Sequence, residues 1–223
     1  LNFMENHDEV RLASPFLSKS AWTAMPAVVV SACLDKGAFM IYNGQETGDT
    51  AMDRAGYGGG NGRTTIYDYW HMPEFQKWVN NHQYDGAQQN SSQKHLRKAY
   101  ITLLNLVSTN EAFSKGDLYI LRDQVKGDVN DFAKDVFSFV RYYHDEIFLI
   151  TVNFNQEKYI PVTINFDTDI CLRLGIDSCK KYQALEHFSG KIVNLENDPV
   201  SVNLHFTIVL PLSGTMIYKL GAI

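Results

Sequence analysis

The sequence predicts a multi-domain chain: an α/β portion with parallel strands over residues 1–114, followed by an antiparallel β-sandwich over residues 115–223. Three observations carry this. Residues 1–42 read as strand, helix, strand, and a crossover of that length makes the two strands parallel. Leu96, Tyr100, Leu103, Leu104 and Val107 then repeat at helical spacing. Beyond residue 115 the helical period gives way to short strands separated by turn signals.

The first strand covers residues 2–5. Ser18 and Ser20 offer N-caps ahead of residues 21–34, a segment apolar all round and therefore buried on several sides. Pro26 either kinks this helix or marks its first turn, and Gly37 is its C-terminal stop. Residues 38–42 form a continuous apolar strand of the kind buried on both faces. A loop follows to about residue 90. Loops that long inside a compact domain usually carry function. Ser92 caps the next helix. The domain boundary is placed at residues 112–116. After it, residues 118–121, 136–143, 147–154, 159–166, 182–187, 202–210 and 216–220 read as strands. Ile160, Val162, Ile164 and Phe166 share one face, as do Val202, Leu204, Phe206, Ile208 and Leu210. Pro161 indicates an edge strand or a strand start, and His144-Asp145-Glu146 closes a hairpin.

Composition narrows the partners. A hydrophobic fraction of 45% and a charged fraction of 20% fit an ordinary globular protein. A net charge of −5 without a basic cluster gives no reason to expect nucleic acid or an anionic membrane. The longest apolar run, residues 24–34, is interrupted by Pro26 and Ser31 and is too short to span a bilayer. Cys33 reads as a small buried hydrophobe, and spacing leaves open whether Cys171 and Cys179 pair. No zinc-ligand spacing is present, so no metal site is expected. The chain begins inside its first strand without an initiator Met, and the expectation is a piece of a longer protein.

Asn6-His7-Asp8 follows the first strand at once. In parallel α/β folds, chemistry gathers just past the carboxyl ends of the strands. An Asp there serves as nucleophile, general acid or base, or electrostatic stabiliser. Equally, Asp8 caps a short helix and His7 packs as a core residue; spacing alone leaves both open. Gly44-Gln45-Glu46 follows the second strand. Gly44 permits a tight turn, and Glu46 either points into the same cleft as Asp8 or bonds loop amides. The glycine-rich run at residues 55–62 is not a phosphate loop: Asn61 stands where the third Gly belongs, and no Lys-Ser or Lys-Thr follows. Tyr42, Tyr57, Tyr67, Tyr69, Trp70 and Trp78 either stack on sugar faces or pack a small core under the loop.

Phe3-Met4-Glu5-Asn6-His7-Asp8 with Arg11-Leu12-Ala13-Ser14 resembles the last conserved motif of the α-amylase family of glycoside hydrolases, at the end of the seventh strand of a (β/α)8 barrel. Ile41 to Gly48 resembles the segment at the eighth strand, and the region after residue 115 is similar to the family's C-terminal β domain. The resemblance implies a partial barrel remnant holding the last two strand–helix units, followed by the sandwich. It implies that Asp8 is the third catalytic carboxylate, which stabilises the oxocarbenium-like transition state. His7 would bond sugar hydroxyls, with Asn6, Arg11, Glu46 and Tyr42 in supporting substrate contacts. The implied substrate is an α-glucan: starch, glycogen or malto-oligosaccharides.

Retaining glycosidases also need a nucleophile and an acid/base, two carboxyl groups about 5–5.5 Å apart. In this family they come from the fourth and fifth barrel strands, and no second strand-end carboxylate with the family's flanking pattern is found here. The fragment is therefore expected to be inactive alone and to need no cofactor, any calcium belonging to the missing part of the parent. Self-association through the incomplete barrel is expected as a possibility. A transglycosylase or isomerase of the same superfamily, and a non-catalytic carbohydrate-binding homologue, are the alternatives.

Overall fold

A computed structural model describes residues 1–18, 20–52, 61–64, 72–122, 125–127, 132–177, 179–197 and 204–223. They form two compact units. The first comprises residues 1–32 and 37–105, and the second residues 33–36 and 106–223.

The first unit opens with β1 (Asn2–Phe3). A 3-10 turn at Ala21–Ala24 leads into α1 (Met25–Cys33), and β2 (Phe39–Met40) follows. β1 and β2 pair in parallel, Asn2 with Phe39 and Phe3 with Met40, as the long crossover requires. Both strands are shorter than the spans read from the sequence, residues 2–5 and 38–42. Glu5 leaves the strand to meet Arg11, and the chain turns at Gly44. Pro26 sits at the second position of α1, where its missing N–H costs nothing, so it starts the helix and does not kink it. Gly37 is not the stop, because α1 ends at Cys33. Met25, Val28, Val29 and Cys33 are wholly buried, as an all-round apolar helix demands.

The long loop is not structureless. It contains a 3-10 turn at Gln45–Thr47 and the helix α2 (Pro73–Val79). Residues 53–60 and 65–71, with Tyr57, Tyr67, Tyr69 and Trp70, lie outside the described residues. α3 (Ser91–Thr109) is capped by Asn90 and not by Ser92. Asn90 Oδ1 accepts the Gln93 N–H at 2.9 Å, and Gln93 Oε1 accepts the Asn90 N–H at 3.0 Å. This reciprocal box satisfies two otherwise orphaned donors. Leu96, Ala99, Tyr100, Leu103 and Leu106 form the buried face of α3.

The second unit continues with α4 (Glu111–Ser114), β3 (Asp117–Leu121), β4 (Val125–Gly127), α5 (Phe132–Asp135), β5 (Val136–Tyr143), β6 (Glu146–Asn153) and β7 (Ile160–Phe166). Then come α6 (Thr168–Leu174), β8 (Tyr182–Glu186), β9 (Ile192–Asn194), β10 (Glu196–Asn197), β11 (Leu204–Leu210) and β12 (Thr215–Ala222). The strands build a four-stranded sheet in the order β10-β11-β7-β4 and a six-stranded sheet in the order β3-β5-β6-β12-β8-β9. Every pairing in both is antiparallel.

Register follows the alternation. Phe166, Ile164, Val162 and Ile160 stand opposite Leu204, Phe206, Ile208 and Leu210, and all eight are buried. They share one apolar cluster with Val140, Leu149, Tyr218 and Leu220 of the six-stranded sheet and with Ile170, Cys171 and Leu174 of α6. Each such side chain contributes about 1.5–3 kcal/mol. β6 is central and apolar on both faces: Phe148, Leu149, Ile150 and Val152 are all fully buried. Pro161 lies at the start of β7, outside the Val162 to Ile164 stretch that pairs with β4 among the described residues. His144 and Asp145 close the β5–β6 hairpin, with His144 at φ +52°.

On the face of β5 opposite the shared cluster, Arg141 is buried. Its guanidinium donates to the carbonyls of Leu34, Ala112, Phe113 and Gly116 at 2.9–3.2 Å. Cys33, Cys171 and Cys179 are all free thiols, so Cys171 and Cys179 do not pair; Cys171 faces the core while Cys179 is exposed. Among the described residues no helix is long and apolar enough to cross a membrane, and no cluster of His, Cys, Asp and Glu gathers as metal ligands.

Candidate functional site

The stretch after β1 folds around one side chain. Asn6 Oδ1 accepts the N–H groups of Asp8 at 2.7 Å and Glu9 at 3.0 Å. This Asx turn shapes the loop after the strand. Asn6 is therefore spent on shaping the loop. His7 and Asp8 are its presented groups, with side chains 53% and 67% exposed. His7 Nε2 lies 3.4 Å from Asp8 Oδ2, and Arg63 Nη2 lies 3.5 Å from Asp8 Oδ1. A carboxylate between an imidazole and a guanidinium, open to solvent, suits a hydroxyl-rich or charge-developing ligand.

Beneath the loop lies a buried pair. Glu5 and Arg11 have almost no exposed surface, and Arg11 Nη1 donates to Glu5 Oε2 at 2.8 Å. Glu5 Oε1 accepts the Leu12 N–H at 2.6 Å, and Arg11 Nη2 donates to the Asn43 carbonyl at 2.5 Å. The Arg11 guanidinium also sits 4.8 Å from the centre of the Tyr42 ring. Arg11 thus ties the loop after β1 to the segment after β2. Burial pushes the Glu5 carboxyl above its ordinary range, and Arg11 and the Leu12 amide pull it back. Asp49 is buried too and is pushed up for the same reason; Arg11 and the amides of Phe75 and Ala51 oppose the shift.

Gly44 makes this closeness possible. At φ +85° it occupies the left-handed region, and a Cβ there would lie 2.3 Å from Met72 Cε and 2.8 Å from Arg11 Nη2. Glu46 is half-buried in the first turn of the following 3-10 segment. Gln45 is buried and donates to the Tyr100 hydroxyl at 3.0 Å, which locks the turn onto α3.

The structure therefore brings Asn6, His7 and Asp8 into one surface loop and joins Arg11 to Tyr42 below it. No bond joins Glu46 to Asp8. Arg11 has no exposed surface, and its guanidinium is engaged within the protein. Sequence reasoning missed Glu5 and Arg63. Glu5 reads as the tail of an apolar strand, and only Arg11, six residues on, hints at its partner. Arg63 reaches Asp8 because Gly62 docks on this loop: the Arg11 N–H donates to the Gly62 carbonyl at 2.7 Å. Adjacency to the glycine-rich run was the available signal.

The arrangement is a solvent-facing Asp–His loop beyond a short parallel strand pair, in a chain whose second half is antiparallel β. No family model and no curated protein matches the sequence. Solved structures do match the fold. AmyP, solved in complex with maltose, superposes with a TM-score of 0.61 at 15% identity, over 97% of this chain and 40% of its own. A maltogenic α-amylase, AmyB from Thermotoga neapolitana, gives 0.55 at 18% identity, over 99% and 41%. Trehalose-6-phosphate hydrolase from Bacillus licheniformis gives 0.53 at 15%, over 99% and 43%. The chain folds like part of α-amylase family structures and spans about 40% of their length.

Proposed function

We propose that this chain is the C-terminal part of a retaining α-glucan hydrolase: the last two units of a (β/α)8 barrel followed by a β-sandwich. The observation that carries the proposal is the exposed His7–Asp8 pair just past a parallel strand, in a fold shared along the whole chain with structures that include a maltose complex. Asp8 stabilises positive charge as it develops at the sugar's anomeric carbon. It does so without attacking. His7 bonds a sugar hydroxyl, and Arg63 holds the other Asp8 oxygen. Asn6 shapes the loop. Arg11 and Tyr42 act from beneath as positioning residues, and Glu46 supports the second loop.

Nucleophile and acid/base belong to the remainder of the enzyme, as does any calcium; this chain needs no cofactor. Purified alone, it releases no reducing sugar from soluble starch above a mock preparation. Exposed Leu1, Phe3, Phe16 and Leu17 in the first unit favour self-association of the isolated chain.

Maltotriose digestion by the complete enzyme tests the reaction class. Glucose and maltose as the only products support hydrolysis. Products longer than maltotriose replace it with the transglycosylase alternative, and unaltered maltotriose replaces it with a binding homologue.

A further inference from the structure

Arg63 stands at the Asp8 carboxylate, 3.5 Å between Nη2 and Oδ1, although the two lie far apart in the chain. Two backbone bonds bring it there. The Arg11 N–H donates to the Gly62 carbonyl at 2.7 Å, and the Gly62 N–H donates to the Ala51 carbonyl at 3.2 Å. Gly62 is thus held between the loop after β1 and Ala51. Its φ is +77°, and a Cβ there would lie 2.6 Å from Ser14 Oγ and 3.0 Å from Val10 Cγ1. Glycine alone allows so close an approach.

Ala51 is the costly member of this chain of contacts. It is wholly buried, and its φ of +53° is a left-handed backbone that alanine resists. Such a conformation persists only where the surroundings impose it. Asp49 supplies that constraint. Its side chain reaches two residues on, where Oδ1 accepts the Ala51 N–H at 3.4 Å. Its other oxygen, Oδ2, accepts the Phe75 N–H at 3.3 Å, and the Asp49 N–H donates to the Gly44 carbonyl at 3.1 Å. Asp49 has no exposed surface. One buried side chain therefore ties the turn at Ala51 to α2, while its backbone anchors both to Gly44.

We infer that Asp49 is a positioning residue of the Asp8 site, acting through Ala51 and Gly62 to set Arg63 against the Asp8 carboxylate. Its value to catalysis rests on the reading of Asp8 given above. The placement of Arg63 does not.

Two measurements separate these claims. Amide hydrogen exchange in this chain reads the placement. In Asp49→Ala, the Arg11 N–H, which is bound to Gly62, should exchange about tenfold faster. The neighbouring Leu12 N–H, bound to Glu5, should keep its wild-type rate. Adding Ala51→Gly should restore slow exchange at Arg11, because glycine takes the left-handed backbone without help. If Asp49→Ala does not fold, Asp49→Asn is read in the same way. Unchanged exchange at Arg11, equal acceleration at Leu12, or no rescue by Ala51→Gly overturns the inference. In the complete enzyme, kcat on maltotriose reads the consequence. Asp49→Asn should lower it about tenfold, and by less than about twofold where Arg63 is already Ala, since the two act as one unit. An equal factor in both backgrounds, or a kcat that falls in Asp8→Asn and not in Asp49→Asn, overturns the positioning role. The expected exchange pattern with kcat unmoved in Asp8→Asn, Arg63→Ala and Asp49→Asn alike leaves the placement standing and counts against Asp8 as part of the reaction.

Discussion

Arg11 and Glu5 show how much a single buried pair can organise. Neither touches solvent, and each carries bonds beyond the other: Arg11 to Asn43, Glu5 to the Leu12 amide. Taking out one partner strands a buried charge, which is far costlier than losing a surface ion pair. Arg11→Met should therefore destabilise the first unit by about 3–5 kcal/mol in urea denaturation. Glu5→Leu added to it should recover part of that loss. Equal midpoints for Arg11→Met and wild type would show that the pair is not structural. Arg141 presents the same physics with carbonyls in place of a carboxylate. Arg141→Met leaves four buried acceptors short of a donor, at about 1–3 kcal/mol for each that water cannot reach. A clear drop in thermal midpoint is expected, and Arg141→Lys should not restore it, because one ammonium cannot span the fork. At this scale the sequence was legible only where partners are neighbours. Asn6, His7 and Asp8 are adjacent, so their clustering is given by the chain. Arg63 meets Asp8 only through the fold.

Elements were legible where one period persists. The alternation in β7 and β11 marked both strands and their apolar faces, since a slip of one residue would turn every apolar side chain outward; that the two strands pair with each other became visible only in the fold. Short elements escaped. α6 was missed because its seven residues sit among strands, yet its ends carry ordinary signals. Asp167 accepts the Ile170 N–H at 3.0 Å, and Gly175 closes the helix at φ +68°. Asp167→Ala should cost about 1 kcal/mol of stability, read from the denaturation midpoint, by loss of the cap. β4, β9 and β10 have three residues or fewer, too few to show a period. The turn after β8 carries a pH response. His187 stands beside Phe148, 5.8 Å between ring centres, with Nε2 buried and unpartnered. Burial holds its pKa below the ordinary 6.5, and Lys219 adds to this while Glu186 opposes it. The unfolded chain therefore takes up the proton at a higher pH than the folded one. The stability this supplies is complete above about 6.5 and is lost as pH falls through the folded value. Thermal midpoints measured between pH 7 and pH 5 should fall for wild type, and less steeply for His187→Phe.

For the whole molecule, the sequence showed the change from α/β to antiparallel β, because the helical period gives way to short strands separated by turn signals. Where the contacts divide was less visible. The division falls inside α3 at Leu106, within a helix whose pattern runs unbroken. The thiols give a simple check on the fold: Cys179 should react with a thiol reagent under native conditions while Cys33 and Cys171 wait for denaturant, with the same total whether or not reductant is added first. The central claim is that Asp8 serves the transition state of glycoside cleavage, and its most direct test is kcat of Asp8→Asn in the complete enzyme on malto-oligosaccharides. That change keeps size and removes charge from an exposed loop residue. A fall in kcat on the order of 10² or more with an unchanged thermal midpoint is expected. A kcat near that of wild type would contradict it.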